Sequence, residues 1–488
     1  MIRKVLLIVA ISAGISKGTP PAWAQGTSFK SDSATQAASH KYEDISFLRQ
    51  IFMGKNYRKT WSTPVTLPVF RLKEMGFTIT ELGGGQQTKS LRLKDKEGRE
   101  WALRTIDKEV EKALPPLLRN TLAKKVTQDM VSAAHPYAPL TITGMACAAG
   151  IIVAQPYFFV VPDDPDFGAY REIFANTICM LEDRNPTPDK TETKSTKNLV
   201  EALLEKNTHV VDGEAVLRAR LLDMLIADWD RHQDQWRWGI EKKEGETVYY
   251  AIPRDRDQAY FHSNGLLVKL AQFIALRHLV GFKHSTHRIK QLNAKSWNFD
   301  RTFLNQLDAS DWERIIASFQ SDLKDEVIRE AVSQLPSEIY PINGAEMGQK
   351  LIDRRNTLGK DAMRYYRFLT RYVTVAGSDE AERFHITGNK DSLQLTVYRI
   401  NKRDNKVIYQ RTFKPEETNR LYLIGLGGDD EIKVEPTVAT RIKLEVDGGK
   451  GHDNIQIQGK IKHKIYDSEA DAKDYEKHLK YLLRIKDE

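Results

Sequence analysis

Hydrophobic and polar positions change their spacing several times along the chain, and each change predicts an element. Within residues 78–108, apolar and polar residues alternate in two short stretches around a Lys-Glu-Gly turn, which predicts a β-hairpin. From about Glu214, apolar residues recur at helical spacing behind Asp212, a residue type that caps helices. Alternation returns in 236–240 and 248–252 and predicts a second hairpin. The predicted order is a helix, a polar loop and a hairpin.

The segments on either side carry other patterns. Residues 25–40 are rich in Ser, Thr, Ala and Gly, which is typical of a flexible lead-in. A helix is predicted over 115–134, one or two strands over 151–162, and several amphipathic helices over 266–371. Past Val375 the pattern changes to short strands separated by Gly-Asp turns, which predicts a small all-β domain followed by a charged helical tail.

The amino terminus has the pattern of a secretory signal peptide. Arg3 and Lys4 precede an apolar run over residues 5–15, and Ala-Trp-Ala at 22–24 supplies the small residues that a signal peptidase reads. We therefore expect cleavage after Ala24 and a mature chain that is exported, either periplasmic or extracellular. The run is about half of the roughly 20 residues needed to span a bilayer, so no transmembrane segment is predicted in the mature chain.

Composition narrows the class of protein. The chain has 488 residues, of which 41% are hydrophobic and 29% charged, so a water-soluble protein of two or three folded domains is expected. The net charge of +8 falls to +5 without residues 1–24, which hold three bases and no acid; this balance predicts neither a nucleic-acid partner nor an anionic membrane. Two cysteines, Cys147 and Cys179, leave one disulfide open but cannot form a sulfur-ligated metal site.

Carboxylates are concentrated at the open end of the second predicted hairpin. The segment 228–235 (DWDRHQDQ) precedes this hairpin and 253–257 (PRDRD) ends it. Five carboxylates so close together repel one another unless a proton or a cation compensates, and Mg²⁺ prefers oxygen ligands. The alternative is that Arg231, Arg254 and Arg256 neutralise these acids in a surface network of ion pairs.

This order of elements resembles the catalytic segment of atypical kinases. A helix, the motif N/D-x-D-R-H-x-x-N/Q, a hairpin and an apolar strand ending in Asp are typical of the HipA-like and phosphoinositide-kinase-like groups, the secretory-pathway Golgi casein kinases and the spore-coat kinase CotH. Residues 252–257 (IPRDRD) are similar to the Ile-Pro-x-Asp-x-Asp sequence of CotH-like proteins. The resemblance runs from about Gly83 to Asp257. It implies an α+β fold, with a two-lobed kinase-like domain of a β-rich N-lobe and a mainly helical C-lobe, followed by the all-β domain.

These patterns together divide the chain into six parts. The predicted parts are a signal peptide (1–24), an N-terminal extension (25–75), a kinase-like N-lobe (76–165), a helical C-lobe (166–375), an all-β domain with Gly-Asp turns (376–466) and a charged helical tail (467–488). The kinase-like resemblance lies in the third and fourth parts.

The resemblance also implies roles for the acidic residues. Asp230 would be the catalytic residue that accepts or orients the acceptor hydroxyl. Gln235 would occupy the position of a metal-binding Asn, although its side chain is one methylene longer. Asp257 or Asp255 would bind the metal ion. His232 is interpreted as a packing or orienting residue of the loop.

The β-rich segment would bind the phosphates. Gly83, Gly84 and Gly85 would let backbone amides approach them closely. Arg104 or Lys108 would present the basic group, paired with Gln128 or Asp129 on the following helix. Arginine is a departure from the usual lysine, since a guanidinium is bulkier than an ammonium.

The predicted activity is phosphoryl transfer from ATP or another nucleotide, bound with Mg²⁺ or Mn²⁺, to a hydroxyl of an unknown protein or small molecule. Such transfer needs alignment and charge neutralisation more than covalent help. Arg104 and Gln235 leave open a catalytically inactive kinase-like module for binding or assembly at the cell envelope. The Asp-x-Asp pairs with His232 leave open a metal-dependent phosphoesterase.

A second motif lies in the predicted all-β domain. Residues 448–455 (GGKGHDNI) match the calcium-roll repeat G-G-x-G-x-D-x-apolar, and 425–432 (GLGGDDEI) is a partial copy. Each calcium site of a roll is shared between neighbouring copies, so two copies are equally consistent with calcium sites and with ordinary tight turns.

Overall fold

The computed structural model describes residues 32–43, 45–83, 89–110, 122–274, 276–400 and 405–466. The predicted signal peptide and its cleavage site, the charged tail, and Gly84 and Gly85 lie outside these residues. The described elements form a mixed α+β structure with five sheets. None of the described helices is long and apolar enough to cross a membrane.

The helices and strands are as follows. The helices are α1 (Phe47–Met53), α2 (Arg58–Ser62), α3 (Leu122–Met130), α4 (Ala138–Ala148), α5 (Arg171–Phe174), α6 (Thr196–Glu205), α7 (Gly213–Leu225), α8 (Leu266–Ile274), α9 (Ile289–Leu292), α10 (Trp297–Phe303), α11 (Ala309–Asp322), α12 (Asp325–Val332) and α13 (Ala345–Leu369). The strands are β1 (Ser33–Ala37), β2 (Pro64–Pro68), β3 (Thr78–Gly83), β4 (Ser90–Lys94), β5 (Glu100–Thr105), β6 (Tyr157–Val161), β7 (Thr177–Asp183), β8 (Lys194–Ser195), β9 (His209–Val211), β10 (Trp236–Lys243), β11 (Glu246–Pro253), β12 (Tyr372–Ala376), β13 (Glu382–Gly388), β14 (Leu393–Arg399), β15 (Val407–Phe413), β16 (Arg420–Ile424), β17 (Glu431–Val434), β18 (Ala439–Asp447), β19 (Asn454–Ile457) and β20 (Lys460–Tyr466).

The first sheet is antiparallel, with the strand order β3-β4-β5-β7-β6. The predicted hairpin is β4 and β5, and its turn contains Gly98 at a φ of 79°, a conformation that glycine adopts without strain. Leu91, Leu93 and Leu103 are buried because alternate residues of a strand face the same side of the sheet. Cys179 lies in this core on β7, and both cysteines are free thiols.

The predicted helix, loop and hairpin are α7, residues 226–235, and the pair β10–β11. Asp212 caps α7, and its side chain accepts a hydrogen bond from the backbone N–H of Ala215 at 2.9 Å. The hairpin turns through Glu244 and Gly245, which have φ values of 48° and 81°. Trp236 and Trp238, interpreted as packing residues, are both buried in the main core.

The predicted flexible lead-in is wrong in part. Ser33–Ala37 forms β1, which pairs with β2 in an antiparallel ladder. The Ser and Ala composition of this segment does not show the pairing, because its partner strand lies about thirty residues further along the chain. Of the predicted helix over 115–134, residues 122–130 form α3, and residues 115–121 lie outside the described ranges.

Strands β12–β20 follow the helical part of the chain and share one core. They form two sheets, ordered β12-β16-β18-β20 and β15-β14-β13-β17-β19, between which the chain passes back and forth. Two of the crossings are the Gly-Asp turns at 425–430 and 448–453, which stack on each other because β17 pairs with β19 in parallel.

Candidate functional site

A cavity of about 470 Å³ lies between the first sheet and the junction of α7 with the β10–β11 hairpin. The described site residues predicted from the sequence all line this cavity: Gly83, Arg104, Lys108, Asp230, Gln235, Asp255 and Asp257. Their positions in the chain span more than 150 residues, so the fold brings together residues whose proximity no local motif encodes. Gly84 and Gly85 lie outside the described residues.

The two candidate bases each face one candidate metal ligand. Lys108, which follows β5, forms an ion pair with Asp257. Arg104, on β5 itself, places its Nη1 atom 3.8 Å from Oδ2 of Asp255. Two ion pairs therefore join the basic and the acidic side of the cavity.

The pKa values of Asp255 and Asp257 shift in opposite directions. Burial raises the pKa of Asp257, and the charge of Asp255 raises it further, against the opposing effect of Lys108. Burial also acts on Asp255, but Arg104 and Lys108 outweigh it and hold the pKa of that carboxyl below its usual value. Two half-buried neighbouring acids of this kind compete for one proton, and a divalent cation can replace that proton.

Asp230 lies on the loop after α7 and has its own basic partner. Its carboxylate forms an ion pair with Lys295, and the same ammonium lies 4.8 Å from the centroid of the Trp229 ring. The backbone N–H of Asp230 donates to Oδ1 of Asp228 at 3.2 Å, and this hydrogen bond within the loop helps to hold its conformation. Lys295 was not among the predicted site residues, because no motif marks a lysine 65 residues further along the chain.

Two arginines of the acidic segments do form an ion-pair network, but it is buried and holds Asp228 of the segments together with Asp223 of α7. Arg231 is 2.7 Å from Asp228 and 3.2 Å from Asp223, and Arg256 is 3.1 Å from Asp223. All four side chains are buried. The alternative of a surface network is therefore wrong, because Arg231 and Arg256 are buried and pair with Asp228 and Asp223. The cavity acids pair instead with Lys108, Arg104 and Lys295.

Gln235 connects the two acidic segments. Its backbone C=O accepts a hydrogen bond from the N–H of Arg254 at 2.9 Å, at the open end of the hairpin. Its side-chain Oε1 accepts from the backbone N–H of His232 at 3.4 Å. His232 itself lines the cavity, with Nδ1 3.5 Å from Asp234. The amide of Gln235 therefore orders the loop on the wall of the cavity.

Unusual backbone conformations occur around these acids. Ala227, Asp255 and Tyr260 have φ values of 56°, 53° and 59°, in the left-handed region that residues with a Cβ adopt at a cost. Such conformations persist where the surrounding structure enforces them, and they are concentrated at functional sites. Asp255 is thus held in the cavity by its backbone as well as by its ion pair.

The predicted pairing of Gln128 or Asp129 with the phosphate-facing base is wrong. Gln128 donates through Nε2 to the backbone carbonyl of Lys108 at 2.7 Å, so it positions this residue without contacting its ammonium. Asp129 is buried against Arg58 and also pairs with Arg49 at 2.8 Å. Both arginines come from the N-terminal extension, whose position could not be inferred from the sequence pattern.

The stacked Gly-Asp turns form a separate cluster of acids. Asp453 accepts through Oδ1 from the backbone N–H of Asp430 at 2.9 Å, and Asp430 accepts through Oδ1 from the N–H of Glu382 at 2.7 Å. Oδ2 of Asp430 is buried and has no hydrogen-bond partner among the described residues. Burial raises the pKa of Asp430 to about 8, and the charges of Glu382 and Asp453 contribute to the increase.

Neither the cavity nor the turns contain a ready-made cluster of side-chain metal ligands. In the described part of the chain, no group of three or more His, Cys, Asp or Glu side chains is arranged to hold a metal ion. Mg²⁺ in nucleotide sites typically takes one or two carboxylates, with phosphates and water as its other ligands. Asp255 and Asp257 provide two carboxylates of this type.

Comparison with known proteins finds no matching family and no matching curated protein. Among solved structures, the chain is similar to the proinflammatory kinase CtkA of Helicobacter pylori, with 12% identity, a TM-score of 0.33, and coverage of 61% of this chain and 99% of that one. It is also similar to the Rio2 kinase of Chaetomium thermophilum in a complex with ADP/Mg²⁺ and phosphoaspartate, with 9% identity, a TM-score of 0.26, and coverage of 58% and 71%. At these scores, neither similarity carries weight in assigning the function.

Proposed function

We propose that the protein is an exported, kinase-like phosphotransferase, which moves a phosphoryl group from a nucleotide, ATP or another, to a hydroxyl of an unknown protein or small-molecule acceptor. The observation that carries the proposal is the convergence of Asp230, the Asp255–Asp257 pair and Lys108 on one cavity. Phosphoryl transfer needs these parts: an acid beside the acceptor, carboxylates for a cation and fixed positive charge for the phosphates.

The donor set fits Mg²⁺ or Mn²⁺, because hard cations prefer carboxylate oxygens and these two acids compete for a proton. Asp257 and Asp255 would hold the ion, with Gln235 on the adjacent wall. A bound divalent ion supplies charge neutralisation at the phosphoryl oxygens. Lys108, released from Asp257, would turn its ammonium towards a phosphate, and Arg104 would remain beside Asp255. Asp230, held by Lys295, would orient the acceptor hydroxyl and accept its proton.

The same proposal includes the division of the chain. The antiparallel sheet β3–β7 would belong to an N-lobe (76–165), completed by β7 from the start of the helical C-lobe (166–375), with the cavity between them. The strands after residue 376 would form an accessory all-β domain. Export depends on the predicted signal peptide at residues 1–24.

Nucleotide binding tests the proposal directly. Purified protein is heated with ATP or GTP, with Mg²⁺ or Mn²⁺ and with each component alone. At a ligand concentration of one hundred times Kd, binding adds about 2.7 kcal/mol of stability, so the Tm should rise when nucleotide and metal are both present. Asp257→Asn should abolish this rise. Asp234→Asn is the matched control, because Asp234 is on the same loop but does not line the cavity. No rise with any nucleotide and metal would refute the proposal.

A catalytically inactive binding module is the second candidate, and one observation favours it. Lys108 and Arg104 are both engaged by the acids that would hold the metal, so the cavity is internally neutralised. Nucleotide binding without transfer from γ-labelled ATP to envelope fractions, and an unchanged phenotype in Asp230→Ala cells, would favour this module over the enzyme. Release of phosphate from a generic ester without nucleotide would instead favour the phosphoesterase.

We also propose that the Gly-Asp turns bind Ca²⁺. The unpartnered Oδ2 of Asp430 and the carbonyl oxygen of Gly448 face the same side of Gly425, where a Cβ would collide with both. Carboxylate and carbonyl oxygens are the ligands that Ca²⁺ uses in flexible turns. The pKa of about 8 means that this carboxylate holds a proton at neutral pH unless a cation replaces it.

A further inference from the structure

Exposed hydrophobic side chains are concentrated on one face of the helical region. Among the described residues, fifteen large hydrophobic side chains are exposed, and ten of these lie on α1 or between Leu266 and Leu276. Phe273 and Phe47 are the most exposed, at 80% and 76%. We call these ten residues the apolar face. A contiguous exposed patch of this kind marks an interaction site, because most soluble surfaces avoid it.

The two segments form a single surface. The backbone N–H of Lys55, just after α1, donates to Oδ1 of Asn264, just before α8, at 3.0 Å. Gly265 meets α1 so closely that a Cβ there would lie 2.6 Å from the carbonyl oxygen of Phe52. Only Met53 on α1 and Val268 on α8 are buried, so both helices direct most of their apolar side chains towards solvent.

The two chain segments that carry the apolar face hold charges of one sign. The sequence has no Asp or Glu between Asp257 and Asp300, and none over residues 45–73. Lys55, Lys269 and Arg277 belong to these stretches and are exposed beside the apolar residues. No ion pair within the described ranges involves any of the three. The overall balance of +8 gives no sign of this local bias.

We propose that the apolar face docks on an anionic lipid membrane. An apolar helix surface whose own segments carry bases and no acids is what an interfacial helix presents to acidic headgroups, with its hydrophobic side chains inserted at the acyl boundary. A second copy of the chain fits less well, because a symmetric contact would bring like charges together. The proposal does not depend on phosphoryl transfer.

Packing contacts connect the segment after α8, next to the apolar face, to the loop of Asp230. Leu279, a few residues after α8, packs with Phe261 in a small core that Trp229 joins, and the ring of His278 lies 5.3 Å from that of Trp229. Trp229 immediately precedes Asp230. Docking therefore holds the loop of Asp230 close to the lipid surface.

Vesicle sedimentation tests the proposal with the mature chain from Gln25, which lacks the apolar run of the predicted signal peptide. We expect the protein to sediment with phosphatidylcholine vesicles that contain phosphatidylglycerol, and much less with phosphatidylcholine alone. Leu270→Ser combined with Phe273→Ser should weaken binding at least about tenfold, because two exposed apolar side chains that would be buried at the acyl boundary are removed. Lys269→Glu combined with Arg277→Glu should abolish the preference for anionic vesicles.

Matched variants elsewhere on the surface make the result specific. Tyr372→Ser combined with Val407→Ser removes two other exposed hydrophobic side chains and should leave vesicle binding unchanged. The Tm of every variant should stay within a few degrees of the parent, since all these side chains are exposed. Absence of binding at any phosphatidylglycerol content overturns the proposal. So does a dimer that Leu270→Ser with Phe273→Ser dissociates while vesicles have no effect, which would assign the face to a second copy.

Discussion

Lys108 has two electrostatic roles that exclude each other. In the described structure its ammonium neutralises Asp257, whose pKa is raised by burial and by the charge of Asp255. In a phosphotransferase it must instead face a phosphate. The exchange is favourable only if a cation takes its place beside Asp257. Whether a cation is bound to Asp255 and Asp257 therefore controls whether Lys108 can face a phosphate.

This exchange predicts the behaviour of Lys108→Met. The variant leaves two neighbouring carboxylates with less compensation, which should lower the free energy of unfolding by about 1–3 kcal/mol without metal. Mg²⁺ at millimolar concentration should then raise the Tm of the variant more than that of the parent, because the ion has no lysine to displace. Thermal unfolding with and without Mg²⁺ measures both effects.

Lys89→Met provides the control, since Lys89 forms a surface pair with Glu109 at 3.0 Å and such pairs contribute about 0–1 kcal/mol. Its response to Mg²⁺ should equal that of the parent. Equal Mg²⁺ effects in Lys108→Met and the parent would contradict the proposed exchange.

Residues of the site differ in how well the sequence predicts them. Asp230, Asp255 and Asp257 could be predicted because they belong to short motifs next to a strong hairpin pattern. Their partners could not: Lys295 comes from a loop with no motif, and Asp129 is engaged by Arg58 of the extension. Ion pairs between distant segments depend on the packing of whole elements, which residue spacing does not encode.

At the scale of elements, periodicity predicts α7 and the β10–β11 hairpin because their apolar faces are buried in one core. It fails at β1, where Ser33–Ala37 pairs along an edge and has little apolar pattern to reveal it. Composition alone therefore predicted a flexible segment. The Gly-Asp turns are an intermediate case: the sequence predicts the turns, but only the parallel pairing of β17 with β19 shows that they stack.

The stacked turns predict an unusual dependence of stability on pH. The pKa of Asp430 is about 8 in the folded protein, above its ordinary value of 3.8, so the folded state holds this proton more tightly than the unfolded state. Its favourable contribution is fully present below the ordinary pKa and is lost as pH rises through about 8. With EDTA, the free energy of unfolding should fall between pH 5 and 9 by an amount on the order of 4 kcal/mol, since each pH unit up to about 8 contributes about 1.4 kcal/mol.

Calcium should reverse this loss, because the ion binds the ionised carboxylate. Denaturant titrations at pH 8.5 should show a gain with millimolar Ca²⁺ in the parent and none in Asp430→Asn, which should also flatten the pH dependence. Asp391→Asn, at an exposed position between β13 and β14 of the same domain, should behave like the parent. A pH dependence that persists in Asp430→Asn would assign it to another group.

At the scale of the whole molecule, a buried ionic network connects the loops of the cavity to the helical core. Asp223 on α7 accepts from Arg220 at 2.8 Å and also pairs with Arg231 and Arg256 of the two acidic segments. Arg220 continues to Asp300 on α10 at 2.8 Å, and the hydroxyl of Tyr365 on α13 donates to the same carboxylate at 2.7 Å. The positions of Asp230 and Asp257 thus depend on one buried carboxylate that neither segment contains.

Asp223→Asn tests this dependence. The substitution leaves three buried arginines with one counter-charge fewer, and breaking a buried pair in this way typically costs about 3–5 kcal/mol. Urea unfolding should show that loss, and nucleotide binding should weaken even below the transition because Arg231 and Arg256 no longer hold the two loops in register. Asp163→Asn, in the exposed pair with Arg171 at 2.6 Å, should leave the unfolding free energy nearly unchanged. Asp230→Asn should also change it little while transfer is lost, which separates the network that positions the site from the acid that acts in it. A cost below 1 kcal/mol for Asp223→Asn would show that the loops are held by packing alone.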